Sequence, residues 1–290
     1  MLTVAAEWVA AERDRRYRRR PDLRLKTIED AERFIDDVGF AFLWPIKGIE
    51  APSLFEAVAG RTRKVPKAHD DPDLSKSWHW KDQSLGGTRW YYARLLRRRA
   101  TLIAPRLQAT FYALTHNFGD LYDYLEQVQD GVITHEARLI YEALLEHGPL
   151  NTVELRRRVS MTSSESKSRF ERGLVALQVD MKVLPVGVAR AGAWDYSFVY
   201  DIPMRHYPDL PEQARAIGTR QAWQTLVGQY VSNTIAVATK QIGQLFHVFE
   251  PTRRELTAAL DSLVDSGEIV PAQIEGGGEV WVSARALEGR

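Results

Sequence analysis

THEARLIYEALLEH over residues 134–147, VELRRRVS over 153–160, SSESKSRFERGLVALQ over 163–178 and MKVLPVGVARAGAWDYSFVYDI over 181–202 follow one another. They read as an amphipathic helix closed by Gly148-Pro149, a short helix, a longer helix and a β-ribbon. The pattern returns downstream. Residues 221–236 read as helical, KQIGQLFHV as a short second helix, and PTRRELTAALDSLVDS (251–266) as a third. Gly267-Glu-Ile-Val-Pro then leads into IEGGGEVWVS, whose glycines at 276–278 lie between strands and suit a wing tip rather than a nucleotide cradle. This recurrence predicts a mainly α fold with small β-ribbons (α+β), made of tandem winged helix-turn-helix units. The expected divisions are a basic N-terminal arm (1–21), a first winged-helix-like unit with insertions (22–130), a middle unit (131–210) and a C-terminal unit (211–290).

In a winged helix-turn-helix the later helix enters the DNA major groove and the wing approaches the neighbouring backbone, so double-stranded DNA is the expected partner. The third helix of the middle unit opens with Ser163, Ser164, Ser166, Lys167, Arg169 and Arg172, a mixture suited to phosphate contacts and base-edge hydrogen bonds. Phe170, Leu174 and Leu177 fall on one helical face and are assigned to the core. The equivalent helix downstream carries Thr252, Arg253 and Arg254, but Glu250 and Glu255 dilute its charge. An architectural or protein-docking role fits it better.

Lys and Arg number 39 against 38 Asp and Glu, so the net charge of +1 carries no message and local clustering must. No acidic residue occurs between Gln83 and Gln108, while Arg89, Arg94, Arg97, Arg98, Arg99 and Arg106 all lie there. Trp78, Trp80, Trp90, Tyr91 and Tyr92 adjoin this window. Aromatic rings interleaved with arginine suit base stacking, and Trp78, Trp80, Trp90 and Tyr91 are candidate stacking residues beside the competing reading of a packed core. A second basic block comprises Arg13, Arg15, Arg16, Arg18, Arg19 and Arg20.

Upstream, Thr27-Ile-Glu-Asp30 has the form of a capping box ahead of Ala31, Phe34 and Ile35, with Gly39 as the stop. Pro52 and Ser53 open another short helix that ends near Gly60, and residues 61–77 read as an exposed loop. The chain has no cysteine, and its seven histidines show no paired ligand spacing, so no metal or cofactor is implied. No stretch approaches the roughly 18 apolar residues of a membrane span, and no signal-peptide pattern precedes the first helix; a cytoplasmic protein is expected.

Three segments together resemble the AlkZ/YcaQ-like family, bacterial winged-helix proteins that include glycosylases removing alkylated bases and unhooking DNA crosslinks. They are WHWKDQSLGGTRWYYARLLRRRATLI, YSFVYDIPMRHYPDL, and RQAWQTLVGQYVSNTIAVATKQIGQLF with LVDSGEIVPAQIEG. The resemblance implies three winged-helix units around a DNA channel. It also implies a Gln-x-Gln or Gln-x-Asp pair near the start of the first unit, where FAFLWPIKGIEAP has none. Gln127-Val-Gln129 and Gln178-Val-Asp180 match the letters far downstream and are read as coincidences, and Lys47, Glu50 and Lys81 are the nearby polar residues. The expectation is therefore a DNA-binding protein, non-catalytic or of altered activity, with damaged DNA as one possible target. An active glycosylase for alkylated bases is the alternative. A winged-helix transcription regulator ranks below both, because three tandem units offer an extended surface without two-fold symmetry. No oligomeric state follows.

Overall fold

The computed structural model describes residues 2–68, 70–87, 89–192 and 195–289. His69, one of the seven histidines, Thr88 in the acid-free window, and Ala193 and Trp194 in the middle ribbon lie outside them. The chain opens with β1 (Leu2–Val4) and α1 (Ala6–Arg16). A first unit follows: α2 (Ile28–Val38), β2 (Phe40–Phe42), α3 (Leu54–Ala59), α4 (Pro72–Gln83), β3 (Tyr91–Arg94) and β4 (Ala100–Ile103). The connectors α5 (Pro105–Tyr112) and α6 (Tyr124–Gln129) lead to the middle unit, α7 (His135–His147), β5 (Leu150–Asn151), α8 (Thr152–Arg158), α9 (Ser164–Val179), β6 (Leu184–Ala189) and β7 (Ser197–Asp201). After α10 (Leu210–Arg215) come α11 (Thr219–Thr234), β8 (Ala236–Val237), α12 (Thr239–Phe246), α13 (Arg253–Asp265), β9 (Ile269–Ile274), β10 (Glu279–Ser283) and α14 (Ala284–Glu288). The fold is α+β.

Each unit runs helix, strand, helix, helix, strand, strand, and the sheets share one order: β2-β4-β3, β5-β7-β6 and β8-β10-β9. The repeat thus extends to the first unit, for which insertions are expected. Local chemistry explains the boundaries. Thr27 and Asp30 form a complete capping box at α2, and Gly39 ends it at φ 73°. A side chain there would strain the backbone and place Cβ 2.6 Å from Leu107 Cδ1, so that leucine would have to shift. Ser53 caps α3 and Gly60 closes it in the left-handed conformation. In the middle unit Thr134, Asn151 and Ser163 cap their three helices in turn.

Two expectations change. The exposed loop at 61–77 ends earlier, because Asp71 accepts the backbone N–H groups of Asp73 and Leu74 and Pro72 starts α4. Arg63 holds the remaining loop by pairing with Asp71 and Asp73 at 2.7 and 2.8 Å. Nor is the N-terminus a free basic arm. β1 adds a parallel strand to β9, and the arginines behind it meet internal partners. Arg16 pairs with Asp37 at 2.8 Å and Arg19 with Glu56 at 2.8 Å, while Arg13 donates to the Thr234 carbonyl at 3.0 Å. These partners are remote in sequence, which is why the block looked free.

The largest core joins the first unit to the third, with Phe40, Tyr91 and Phe111 packed among Trp223, Tyr230 and Phe246. The middle unit has its own core, in which Phe170, Leu174 and Leu177 lie as expected. Units one and two also meet reciprocally. The β3–β4 hairpin reaches α9, and the segment entering β7 reaches α4.

Candidate nucleic-acid interface

The β3–β4 hairpin is held from below by its apolar residues. Leu95 and Leu96 are fully buried, so the chain must turn sharply to bring the next three residues outward. Leu96 N–H donates to Thr101 Oγ1 at 3.2 Å, and that hydroxyl donates to the Arg99 carbonyl at 2.8 Å. Arg97 and Arg98 both adopt left-handed backbone, at φ 54° and 56°. For non-glycine residues that conformation is unfavourable and must be imposed by the surroundings. The result is a tight tip presenting Arg97, Arg98 and Arg99 to solvent.

Across from the tip lies α9. Ser163 Oγ accepts the Ser166 N–H at 3.1 Å, fixing the helix start. Ser164, Lys167, Ser168, Glu171, Arg172 and Val175 then recur at helical spacing along one face. Together with Arg94, Arg97, Arg98 and Arg99 they line an open groove of about 750 Å³. Two clusters some seventy positions apart in sequence thus share one surface. The joint is specific: Arg94 N–H donates to Gln178 Oε1 at 3.0 Å, and Gln178 Nε2 donates to the Leu174 carbonyl at 3.2 Å. Arg97 Nη1 reaches the Gln244 carbonyl of the third unit at 3.1 Å.

Among the described residues no ion pair neutralises Arg94, Arg97, Arg98, Arg99, Lys167 or Arg172, although Glu171 contributes one carboxylate to the lining. Arg172 donates instead to Ser168 Oγ at 2.6 Å. Three of the candidate residues lie elsewhere. Arg89 is paired with Glu32 and, at 3.6 Å, with Glu29 on α2. Arg169 turns toward Glu136 at 3.8 Å, and Ser166 is buried in the helix cap.

Of the candidate stacking rings, Trp80, Trp90 and Tyr91 are 7%, 1% and 0% exposed, so they are core and cannot receive a base in this conformation. Trp78 is partly exposed, stacked on Trp44 with centroids 6.2 Å apart and tilted against Tyr196 at 5.4 Å. Beneath it Lys81 is completely buried. Its ammonium donates to Tyr196 Oη at 2.7 Å and pairs with Asp82 at 2.5 Å, with the Trp78 and Phe198 ring centroids at 4.0 and 4.4 Å. Burial pushes the Lys81 ammonium down to about 8, and Asp82 opposes that shift.

Of the segment at which a polar pair would be expected, the first four residues are buried in the core, and Trp44 to Glu50 are partly exposed or exposed. Phe40, Ala41, Phe42 and Leu43 are at most 2% exposed. Glu50 is occupied by Arg19 at 3.1 Å and Arg13 at 3.5 Å, and Lys47 is exposed. Gln127 is buried with its amide donating to the His116 carbonyl. Among the described residues no group of histidines and carboxylates is arranged to hold a metal ion.

A sequence model described as AlkZ related matches residues 25–247. The chain belongs to the AlkZ-related family. Its structure is also similar to that of the Streptomyces sahachiroi DNA glycosylase AlkZ, with a TM-score of 0.60 and 13% identity, over 99% of this chain and 72% of that one. At that identity the likeness is one of fold. No curated protein matches in sequence. For an AlkZ-related chain, the residue whose part was hardest to foresee is Gln178. Its letters look like half of a misplaced Gln-x-Asp pair, yet its amide ties the hairpin to α9. Tyr196 was equally hidden, since only the packing of α4 against the middle ribbon reveals its contact with Lys81.

Proposed function

We propose that this AlkZ-related protein binds double-stranded DNA in the groove between the β3–β4 tip and α9, reading its three units as winged helices, and that it does not excise bases. The observation that carries the proposal is the contrast in arginine pairing. The N-terminal arginines Arg13, Arg15, Arg16, Arg18, Arg19 and Arg20 each have a carboxylate partner, whereas the groove's cations have no ion pair among the described residues, Arg97 reaching only a backbone carbonyl. A row of cations kept uncompensated is what a polyanion needs, because neutralising phosphates releases condensed counterions. The AlkZ fold supports DNA as that polyanion. The non-excising part is supported by the burial of Phe40–Leu43 in the core and by the ion pairs that hold Glu50 to Arg13 and Arg19, since base excision needs polar groups aimed at the sugar and at water.

Replacing Arg97, Arg98 and Arg99 together by alanine should weaken duplex binding for every sequence tested, by roughly two orders of magnitude at low salt. The slope of log affinity against log salt should flatten by up to about three. An unchanged slope would remove the tip from the interface. Excision is tested separately: duplexes carrying N-alkylated purines, incubated with excess protein and heated in alkali, should show no breaks beyond the matched protein-free reaction. Breaks above that background would restore the glycosylase reading.

A further inference from the structure

Between α5 and the middle unit the chain leaves apolar side chains in the open. Among the described residues eight large hydrophobic side chains are exposed, and four of them, Phe118, Tyr122, Leu125 and Val132, fall in this one connector. Phe118 and Tyr122 are the most exposed of the eight, at 67% and 61%. Exposed apolar side chains scattered singly need no explanation, whereas a cluster rimmed by polar groups marks a contact surface. The rim here is acidic. Asp120, Glu126 and Asp130 are exposed and have no ion pair among the described residues, and residues 113–133 contain no lysine or arginine. We propose that this surface docks a partner protein through a segment that is both apolar and basic.

The backbone beneath the rings is fixed, so their exposure belongs to the fold. Asn117 Nδ2 donates to the Met181 carbonyl at 2.9 Å, which anchors the connector just beyond α9. Phe118 N–H donates to Asp123 Oδ2 at 3.0 Å, and Asp123 Oδ1 pairs with the buried Lys182 at 2.5 Å. Tyr122 N–H donates to Asp120 Oδ1 at 2.8 Å, and Val132 N–H to the Gln127 carbonyl at 2.8 Å. The charge selects the partner. Glu126 and Asp130 stand four residues apart on the last turn of α6, where like charges repel. Within the fold that arrangement only costs stability, and basic side chains on a partner turn it into attraction. They also suit the exposed rings of Phe118 and Tyr122, to which a cation is drawn. A nucleic-acid backbone is repelled by the same acids. A second copy meeting this surface about a two-fold axis would set Asp120, Glu126 and Asp130 against their own counterparts.

The test uses the full-length protein without DNA and a dye-labelled synthetic amphipathic peptide of leucine and lysine, followed by fluorescence anisotropy beside a counterpart of leucine and glutamate. The lysine peptide should bind saturably, and the glutamate peptide at least about tenfold more weakly. Neutralising the rim with Asp120→Asn, Glu126→Gln and Asp130→Asn together should weaken the lysine peptide about tenfold. Neutralising three exposed acids of the third unit, with Glu275→Gln, Glu279→Gln and Glu288→Gln, changes the net charge equally and should leave its affinity within about twofold. Phe118→Ser with Tyr122→Ser should abolish binding of the lysine peptide while leaving duplex binding unchanged. If that variant does not fold, the two neutralised proteins decide. Equal losses in those two proteins overturn the proposal, as does equal binding of the two peptides or absence of saturable binding. Concentration-dependent self-association that Phe118→Ser with Tyr122→Ser abolishes makes a second copy the occupant and overturns it too. Joint loss of duplex and peptide binding in that variant, if folded, places the rings in the DNA interface and overturns it as well. The peptide measurements stand whether or not the arginine groove holds DNA.

Discussion

The first two units present their third helices to each other's ribbons, and the two resulting faces are opposites. Where α9 meets the β3–β4 tip, the side chains are Arg94, Arg97, Arg98, Arg99, Lys167 and Arg172, and the face is an open cationic groove. Where α4 meets the ribbon ending in β7, they are Trp78, Tyr196 and Phe198 around a buried lysine. The scaffold is the same in both, down to the order of strands in the sheet. The difference lies in what fills the contact. Gln178 joins the first pair through a single backbone hydrogen bond and leaves the cations outside. The second pair is joined by rings that bury the Lys81 ammonium, while its counter-ion Asp82 stays partly exposed. Repetition of a fold therefore fixes where two elements meet, while composition decides whether the meeting place is a charged surface or a core.

The largest expected effect tests the boundary between those two faces. Trp90 lies next to the arginine window in sequence but belongs to the core with Phe34, Leu54 and Leu102. Trp90→Ala should cost about 3–5 kcal/mol of stability, as truncation of a buried aromatic does. The conservative Trp90→Phe should fold and keep the wild-type salt dependence of duplex binding. A stable Trp90→Ala that had lost DNA affinity would move this ring out of the core and into the interface.

Next in size is the groove itself. Lys167→Glu reverses an exposed charge that has no ion pair among the described residues, and should lower duplex affinity roughly thirtyfold at low salt with Tm nearly unchanged. Arg169→Glu is the internal comparison. Arg169 faces Glu136 rather than the groove, so its reversal should weaken binding only a few fold. Equal losses from the two would mean that the field of the whole helix, not the groove, captures DNA.

Much of this was readable because the sequence marks it locally. Thr134 and Ser163 stand at the starts of two helices, and the glycines at 276–278 announce a turn. The first unit was harder. Its α4 does not show one apolar stripe, because Ser77, Trp80 and Lys81 are all buried between two neighbours, and a buried lysine runs against the hydrophobic pattern. The groove was legible as two unrelated clusters, and their meeting depends on a tertiary contact through Gln178. The N-terminal arginines misled for the opposite reason: their partners Asp37, Glu50 and Glu56 are distant in sequence, so a solvated block and an internal ion-pair lattice look alike.

A smaller effect sharpens the contrast from the aromatic side. Lys81 has its ammonium depressed to about 8 in the fold, against about 10.5 in an unfolded chain. Between these values the unfolded state binds the extra proton, so the contribution of this group to stability rises as pH rises through 8. Relative to Lys81→Met, which cannot titrate there, wild type should gain about 1 kcal/mol between pH 7 and pH 9. Denaturant melts of both proteins at the two pH values measure this. A difference that does not change with pH would place the ammonium in contact with water.

The smallest expected effect concerns the tip, and it has a sign that a purely structural role would not give. Arg98 holds a left-handed backbone at φ 56°, and its guanidinium has no hydrogen bond or ion pair among the described residues. Glycine adopts that conformation without the steric penalty, though it also gives the unfolded chain more freedom, so the two effects partly offset. Arg98→Gly should therefore leave stability unchanged or raise it by up to about 1 kcal/mol, while weakening duplex binding about threefold through loss of one cation. Arg98→Asn separates the two effects, since asparagine tolerates the left-handed region better than arginine and is likewise uncharged. It should match Arg98→Gly in affinity while falling between glycine and wild type in Tm. If Arg98→Gly instead lowers Tm, the arginine side chain is holding the hairpin, and the uncompensated charge of the tip is a by-product of packing rather than the feature that selects DNA.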